Sequence, residues 1–180
     1  MLTFLDVVGW AALITGLSSY LMRQRVLMLA VSTFATAAWS LYFYLCDATT
    51  ASVLVLLAAV RIAVSTTAPQ WTVAKRRIIT AGFLGLVLAG ATVTWSGLPS
   101  IPATLASVLL AVATLNFSFD RIRYALLVGD VLWLLNGIAL GSQLGAVAAA
   151  LGLAINTIVL LQQSNWRQRL QFSVRAPLHV

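Results

Sequence analysis

The sequence has few charged residues. Lys, Arg, Asp and Glu make up 8% of its 180 residues, whereas they are about a quarter of an ordinary soluble domain. With a mean hydropathy of +0.98, the chain lacks the polar residues needed to cover a surface that faces water. Composition therefore excludes a soluble globular domain and predicts a protein that lies in lipid.

Acidic residues, histidine and cysteine are scarcer still. Four acidic residues, one histidine (His179) and one cysteine (Cys46) are too few for a paired-carboxylate site, a metal-ligand cluster or an intrachain disulfide. The sequence thus predicts no enzyme activity, no metal and no cofactor. The net charge of +7 comes from basic residues dispersed in twos and threes, which is typical of membrane flanks, and nucleic acid is not expected as a partner.

Long apolar runs are what the sequence does have, and they predict an all-α integral membrane protein. At about 20 residues per span, seven spans use roughly 140 of the 180 residues. No room is left for a soluble domain. The seven predicted transmembrane helices are Phe4–Met22, Val26–Cys46, Thr50–Thr67, Ile78–Ser96, Ile101–Phe117, Tyr124–Leu140 and Leu144–Gln163.

The basic residues predict the orientation. All Lys and Arg residues except Arg61 lie in the first, third and fifth loops or in the C-terminal tail. Cytoplasmic loops are the ones enriched in Lys and Arg. The sequence therefore predicts a multi-pass protein of the bacterial inner (cytoplasmic) membrane, with its N-terminus outside and its C-terminus in the cytoplasm.

The two ends of the chain are alike. The first helix ends in Arg23-Gln24-Arg25 and the fifth in Arg121-Ile122-Arg123; the second carries Trp39-Ser40-Leu41-Tyr42-Phe43 and the sixth Trp133-Leu134-Leu135-Asn136-Gly137. The fourth helix has no counterpart and crosses the membrane once, so helices one and five run in the same direction. We predict two parallel three-helix repeats, residues 1–70 and 99–166, joined by a linker helix in residues 71–98 and followed by a cytoplasmic tail, residues 167–180.

This plan resembles the SWEET/PnuC superfamily of small-solute transporters, and the chain resembles more closely the YgjV-type bacterial inner-membrane proteins. The likeness covers about Gly9 to Arg169. It rests on the helix layout, the R-x-R ends of helices one and five, Ala51-Ser52 through Arg61-Ile62, and Asn136-Gly137 through Asn156. The resemblance implies a solute site between the two repeats.

Some residues depart from the SWEET pattern, which is W-x-x-Y-G followed by an asparagine that helps line the solute site. Trp133 fits, but Asn136 replaces the tyrosine, Ala149 stands at the asparagine position, and Asn156 lies further along the helix. In the first repeat Phe43 replaces the glycine, and no asparagine follows. Sugar recognition is therefore not carried over.

Two charged residues lie inside predicted spans, Arg61 in helix three and Asp130 in helix six. Each is about six or seven residues, or about 9–10 Å, from the cytoplasmic end of its helix. Because unpaired charges are costly in lipid, equal depth predicts a mutual ion pair that forms a gate or flanks a solute path. Alternatively, Arg61 reaches the headgroups, and Asp130 bonds a helix neighbour or an arginine such as Arg123.

Trp39, Trp133, Asn136 and Asn156 complete the candidate substrate-binding residues with Asp130. The spacing of Asp130 and Trp133 places them on one helix face, where Trp133 either contacts a polar solute or fills the core. The amide of Asn156 needs hydrogen-bond partners within the bundle, so it either lines a cavity or joins two helices.

The sequence favours a small-solute transporter or facilitator, with an unknown small polar solute held between the repeats. The alternative is a non-transporting membrane scaffold or assembly partner that keeps the fold, and the asparagine missing from the first repeat supports it. The lipid bilayer is the one partner that composition requires, and a homo-oligomer is left open.

Overall fold

The computed structural model describes residues 3–175 of the protein, and it describes the side chains of all of these except 119–120 and 163–175. This part of the chain forms seven α-helices and one short 3-10 helix. The helices are α1 (Phe4–Leu21), α2 (Arg25–Leu45), α3 (Thr49–Ser65), α4 (Val73–Val93), α5 (Ser100–Asn116), α6 (Phe119–Ala139) and α7 (Gln143–Arg175), and the 3-10 helix (Ala68–Gln70) lies between α3 and α4.

Local sequence explains where several helices begin and end. Thr3 and Asp6 form a capping box at the start of α1: the Thr3 hydroxyl accepts from the Asp6 N–H at 3.2 Å, and the Asp6 carboxylate accepts from the Thr3 N–H at 2.9 Å. Asp47 and Gly141 have positive φ angles of 58° and 66° in the turns after α2 and α6. Such turns reverse the chain sharply and keep successive helices antiparallel.

The predicted number of helices is confirmed for the described residues, but three boundaries were wrong. The fourth helix begins at Val73 and not at Ile78, the sixth begins at Phe119 and not at Tyr124, and the seventh runs to Arg175 and not to Gln163. Hydropathy marks only the apolar part of a helix, whereas Lys and Arg are good helix formers. The basic residues next to these runs therefore extend the helices and do not form loops.

Five of the helices are long and apolar enough to cross a membrane by length and composition. The other two, α3 and α5, have 17 residues each, which is about 26 Å at 1.5 Å per residue. The short helices are also the ones with the most buried side chains relative to their length.

Every one of the seven helices exposes large apolar side chains. Phe34 of α2 is 74% exposed, Ile78 of α4 is 72% exposed and Ile138 of α6 is 64% exposed. Exposed apolar surface of this extent is unfavourable in water and favourable against lipid. The outer surface therefore fits a membrane protein.

Six helices contact one another in a closed order, α1–α2–α3–α5–α6–α7 and back to α1, which we refer to as the ring. The linker helix α4 packs outside the ring against α3 and α5. Its buried residues are Val87 and Ala91, which join Leu54 and Ala103 in one apolar cluster.

Small residues allow close contact between neighbouring helices. Ser40 of α2 and Ser52 of α3 each donate a side-chain hydrogen bond to the other's carbonyl oxygen, at 2.9 and 3.0 Å. Gly137 of α6 lies so close to α7 that a Cβ atom there would be 2.7 Å from the backbone nitrogen of Ala146. Both contacts are of the small-residue type that holds membrane helices together.

Candidate functional site

A cavity of about 200 Å³ lies inside the ring. All six ring helices contribute to its walls, so both halves of the chain line it. The walls are largely apolar, and the polar side chains among them include Tyr20, Ser32, Thr36, Arg61 and Asp130. A concave, mostly apolar site with a few polar groups is the usual form of a small-molecule site.

Asp130 supplies the carboxylate of the cavity. Its side chain is 8% exposed, and its Oδ1 atom accepts a hydrogen bond of 2.8 Å from the Tyr20 hydroxyl of α1. The other oxygen, Oδ2, is buried and has no hydrogen-bond partner among the described residues. The carboxylate thus retains unused capacity to accept a hydrogen bond.

Arg61 supplies the guanidinium of the same cavity. It is 2% exposed, and its Nη1 atom donates a hydrogen bond of 3.2 Å to the carbonyl oxygen of Ser107 in α5. Its Nε atom is buried without a hydrogen-bond partner in the described part of the chain. Burial at this depth excludes the alternative in which Arg61 reaches the headgroups.

The predicted ion pair between Arg61 and Asp130 is not formed: the two side chains have the different partners given above. The prediction assumed equal spacing from the helix ends, and the helix bounds differ from that assumption. Arg61 is four residues from the end of α3 and Asp130 is eleven residues from the start of α6, which is about 6 and 16 Å along the two helices. The two charges share one cavity and do not contact each other.

Three aromatic side chains besides Tyr20 line the cavity: Trp39, Phe43 and Trp133. The rings of Phe43 and Trp133 are stacked with 6.1 Å between centroids, and those of Trp39 and Phe43 are 5.9 Å apart. Aromatic pairs at this separation attract each other beyond their burial. They join α2 of the first half to α6 of the second.

The two asparagines predicted to bind solute lie outside the residues that line this cavity. Asn136 is 1% exposed and donates to the Pro99 carbonyl oxygen at 2.8 Å, and Asn156 is 0% exposed and donates to the Arg123 carbonyl oxygen at 2.9 Å. Both amides join helices to neighbouring backbone. Ala149, which stands at the asparagine position of the SWEET pattern, does line the cavity.

Four of the six predicted site residues therefore come together: Trp39, Arg61, Asp130 and Trp133. Tyr20 belongs with them and was not predicted. The sequence signal for it is a phenol near the end of a mostly apolar helix, since a buried phenol usually finds a hydrogen-bond partner.

Two arginines, the half-buried Arg25 and the buried Arg123, hydrogen-bond to helix ends at one end of the bundle. This end, which we name the basic end, holds the last turns of α1, α3 and α5 and the first turns of α2, α4 and α6. Arg25 of α2 donates to the carbonyl oxygens of Thr114 (3.0 Å), Phe117 (3.3 Å) and Ser65 (3.4 Å).

Arg123 of α6 has the corresponding role at the end of α1. It donates to the carbonyl oxygens of Tyr20 at 3.2 Å and Met22 at 3.1 Å. The last carbonyl groups of a helix have no partners within the helix. Arg25 therefore satisfies the end of α5, and Arg123 satisfies the end of α1.

Apolar clusters lie on both sides of the cavity, toward the two ends of the bundle, and contribute to its walls. At the basic end, Met28, Leu29, Ile62 and Ile122 pack together. At the opposite end, the cluster is formed by Tyr42, Phe43, Ala51 and Val55. The described residues contain no group of three or more His, Cys, Asp or Glu side chains that could hold a metal ion.

Residues 3–166 match the family model Imp-YgjV, which is described as a bacterial inner membrane protein. No curated protein and no solved structure matches the chain.

Proposed function

Because the chain belongs to the Imp-YgjV family of bacterial inner membrane proteins, we propose that it is a small-solute transporter or facilitator of that membrane. The observation that carries the proposal is the cavity, in which a carboxylate, a guanidinium and four aromatic rings from both halves of the chain surround one space. Ionisable residues in membrane spans are costly and usually mark a solute or ion path.

Two equivalences support a duplicated, SWEET-like 3+1+3 plan. Thr36 lies three residues before Trp39 in α2, Asp130 lies three residues before Trp133 in α6, and all four line the cavity. If a pseudo-twofold axis that relates the two repeats passed through the cavity, matching positions of α2 and α6 would both line it.

The second equivalence is the exchange of arginines at the basic end. Arg25 and Arg123 hold matching places in the two R-x-R segments, and each caps the first helix of the other half. In the proposed mechanism the two halves rock against each other. At one extreme the bundle opens at the basic end, where the arginine caps and their apolar cluster lie. At the other extreme it opens at the opposite end, where the second apolar cluster lies.

A screen of detergent-purified protein for thermal stabilisation tests the transport proposal. The panel holds sugars, vitamins and nucleosides, amino acids and organic acids. A bound solute raises the melting temperature by an amount that grows with the logarithm of its concentration divided by its Kd. The rise should be lost in Asp130→Asn and kept in Asp47→Asn, since Asp47 lies in an exposed turn outside the cavity.

The scaffold alternative rests on a different observation. Both asparagines predicted to bind solute serve helix contacts, which is what a packed assembly module needs. If no compound in the panel stabilises the protein and Asp130→Asn is as stable as the parent, the scaffold becomes the better account.

The proposed orientation places the basic end in the cytoplasm, the N-terminus outside and the C-terminus inside. Cys46 tests it without engineering, because it is exposed and lies in the turn at the opposite end. A membrane-impermeant maleimide should label Cys46 in intact spheroplasts. In a Cys46→Ser background, Gln70→Cys at the basic end should be labelled only after lysis, and the reverse pattern would invert the topology.

A further inference from the structure

The cavity contains two buried charges of opposite sign that are not paired with each other. Arg61 is 2% exposed and Asp130 is 8% exposed. Among the described side chains each has one hydrogen-bond partner, the Ser107 carbonyl oxygen for Arg61 and the Tyr20 hydroxyl for Asp130. Buried charges normally pair, so the separation of these two needs a reason.

Both groups also have hydrogen-bonding capacity that the described residues do not use. Oδ2 of Asp130 and Nε of Arg61 are buried without partners. A carboxylate accepts at both oxygens, and a guanidinium presents five N–H donors in a fork that fits a carboxylate. The last torsion of an Asp side chain is broadly distributed, so either oxygen of Asp130 can turn toward a bound group.

Charge decides among the classes of solute. An anion would satisfy Arg61 but would be repelled by Asp130, and a cation would satisfy Asp130 but would be repelled by Arg61. A neutral solute would leave both charges without a counter-charge. A solute that carries both signs compensates both residues at once.

The volume of the cavity and the chemistry of its walls restrict the class of solute further. The cavity of about 200 Å³ is smaller than the about 300–1,000 Å³ of pockets for drug-sized ligands. Trp133 lies one helical turn from Asp130 on the same face of α6, so a cationic group held by Asp130 would lie beside its indole ring. The remaining walls are largely apolar and suit a short hydrocarbon body.

We propose that the solute of this cavity is a small zwitterion of the amino-acid type, with its carboxylate on Arg61 and its ammonium group on Asp130 beside Trp133. The inference rests on the proposed transport function and names its substrate class. Tyr20 holds the Asp130 carboxylate in place, and Ser107 holds the Arg61 guanidinium in place through its backbone.

Matched compounds test the class. For glycine, leucine and phenylalanine, thermal stabilisation of the purified protein is compared for the amino acid, its amide and its deaminated acid. The amide keeps the positive group alone, and the deaminated acid keeps the negative group alone. At least one of the three amino acids should stabilise the protein, and its amide and deaminated acid should bind roughly 30-fold more weakly or worse.

Substitutions of cavity residues test whether the amino acid binds inside the cavity. Asp130→Asn and Arg61→Gln should each weaken amino-acid binding roughly 30-fold. The charge-matched controls Asp47→Asn and Lys75→Gln should leave it unchanged, since neither residue lines the cavity. Ala148 of α7 also lines the cavity. Should either cavity variant fail to fold, Ala148→Leu fills the same space without changing any charge, and it should abolish the binding.

The outcomes separate this inference from the transport proposal. A sugar or nucleoside that binds in an Asp130-dependent manner, with no amino acid bound, would overturn the zwitterion and leave transport standing. Failure of every class in the panel would overturn both. Binding that survives in Ala148→Leu would place the solute outside the cavity and overturn the assignment of Arg61 and Asp130.

Discussion

The Tyr20 hydroxyl donates a hydrogen bond of 2.8 Å to Oδ1 of Asp130, and this bond joins the last turn of α1 to the middle of α6. The bond spans the two halves of the chain and lies in the wall of the cavity. Because the carboxylate is buried, its partner contributes both to stability and to the position of the charge.

Replacing Tyr20 with Phe should lower the free energy of unfolding. The change removes a hydrogen bond to a buried acceptor and keeps the ring, which costs about 1–3 kcal/mol. Thermal melting of the purified protein measures it, with Tyr44→Phe as the control, because Tyr44 is 67% exposed. Equal melting temperatures for the two variants would show that Asp130 does not depend on the phenol.

Replacing Arg25 with Gln should destabilise the basic end. The variant loses charge-assisted hydrogen bonds to the Thr114, Phe117 and Ser65 carbonyl oxygens, and bonds to charged groups are worth about 1.5–3 kcal/mol each. Arg77→Gln removes the same charge from an exposed position at the same end of the bundle. A melting temperature lowered equally by both variants would mean that net charge matters and the caps do not.

Replacing Gly137 with Ala should destabilise the protein by about 1–3 kcal/mol, as overpacking usually does. The new Cβ atom would lie 2.7 Å from the Ala146 backbone nitrogen, and a backbone atom has no rotamer with which to move away. Gly82→Ala is the matched control in α4, since nothing lies within 4 Å of its added Cβ atom.

The control should be neutral or stabilising, because Ala is a better helix former than Gly by about 1 kcal/mol. Thermal melting in one detergent compares the two variants directly. If Gly137→Ala also proves neutral, the close contact between α6 and α7 does not depend on the missing side chain at position 137.

Replacing Asn156 with Ala should lower stability but leave solute binding intact. The amide is fully buried and donates to the Arg123 carbonyl oxygen at 2.9 Å, so its loss costs about 1–3 kcal/mol. The stabilisation by whichever solute the screen identifies should persist in Asn156→Ala. If the solute no longer stabilised Asn156→Ala, while the solute-free variant melted at the same temperature as the parent, Asn156 would belong to the solute site.

The helices could be predicted from the sequence because an apolar run of sufficient length has one stable form in lipid. Their basic ends could not. The apolar runs begin at Ile78 and Tyr124, whereas α4 begins at Val73 and α6 at Phe119. The difference arises because Lys and Arg continue a helix without being apolar.

The site was partly predictable for a similar reason. The spacing of Asp130 and Trp133 fixes their common face, and Trp39 has the matching place in α2. The asparagines failed because a buried amide needs a partner, and the sequence does not say whether a solute or a neighbouring carbonyl oxygen supplies it. For Asn136 and Asn156 it is Pro99 and Arg123 that do.

The exchange of arginines at the basic end has a consequence for biogenesis. The end of α1 receives its hydrogen bonds from Arg123, which lies 103 residues beyond Tyr20 in the chain. During synthesis α1 therefore enters the bilayer with its final carbonyl groups unsatisfied by protein. They remain so until α6 is inserted, which means that the first half of the chain completes its fold only when the second half arrives.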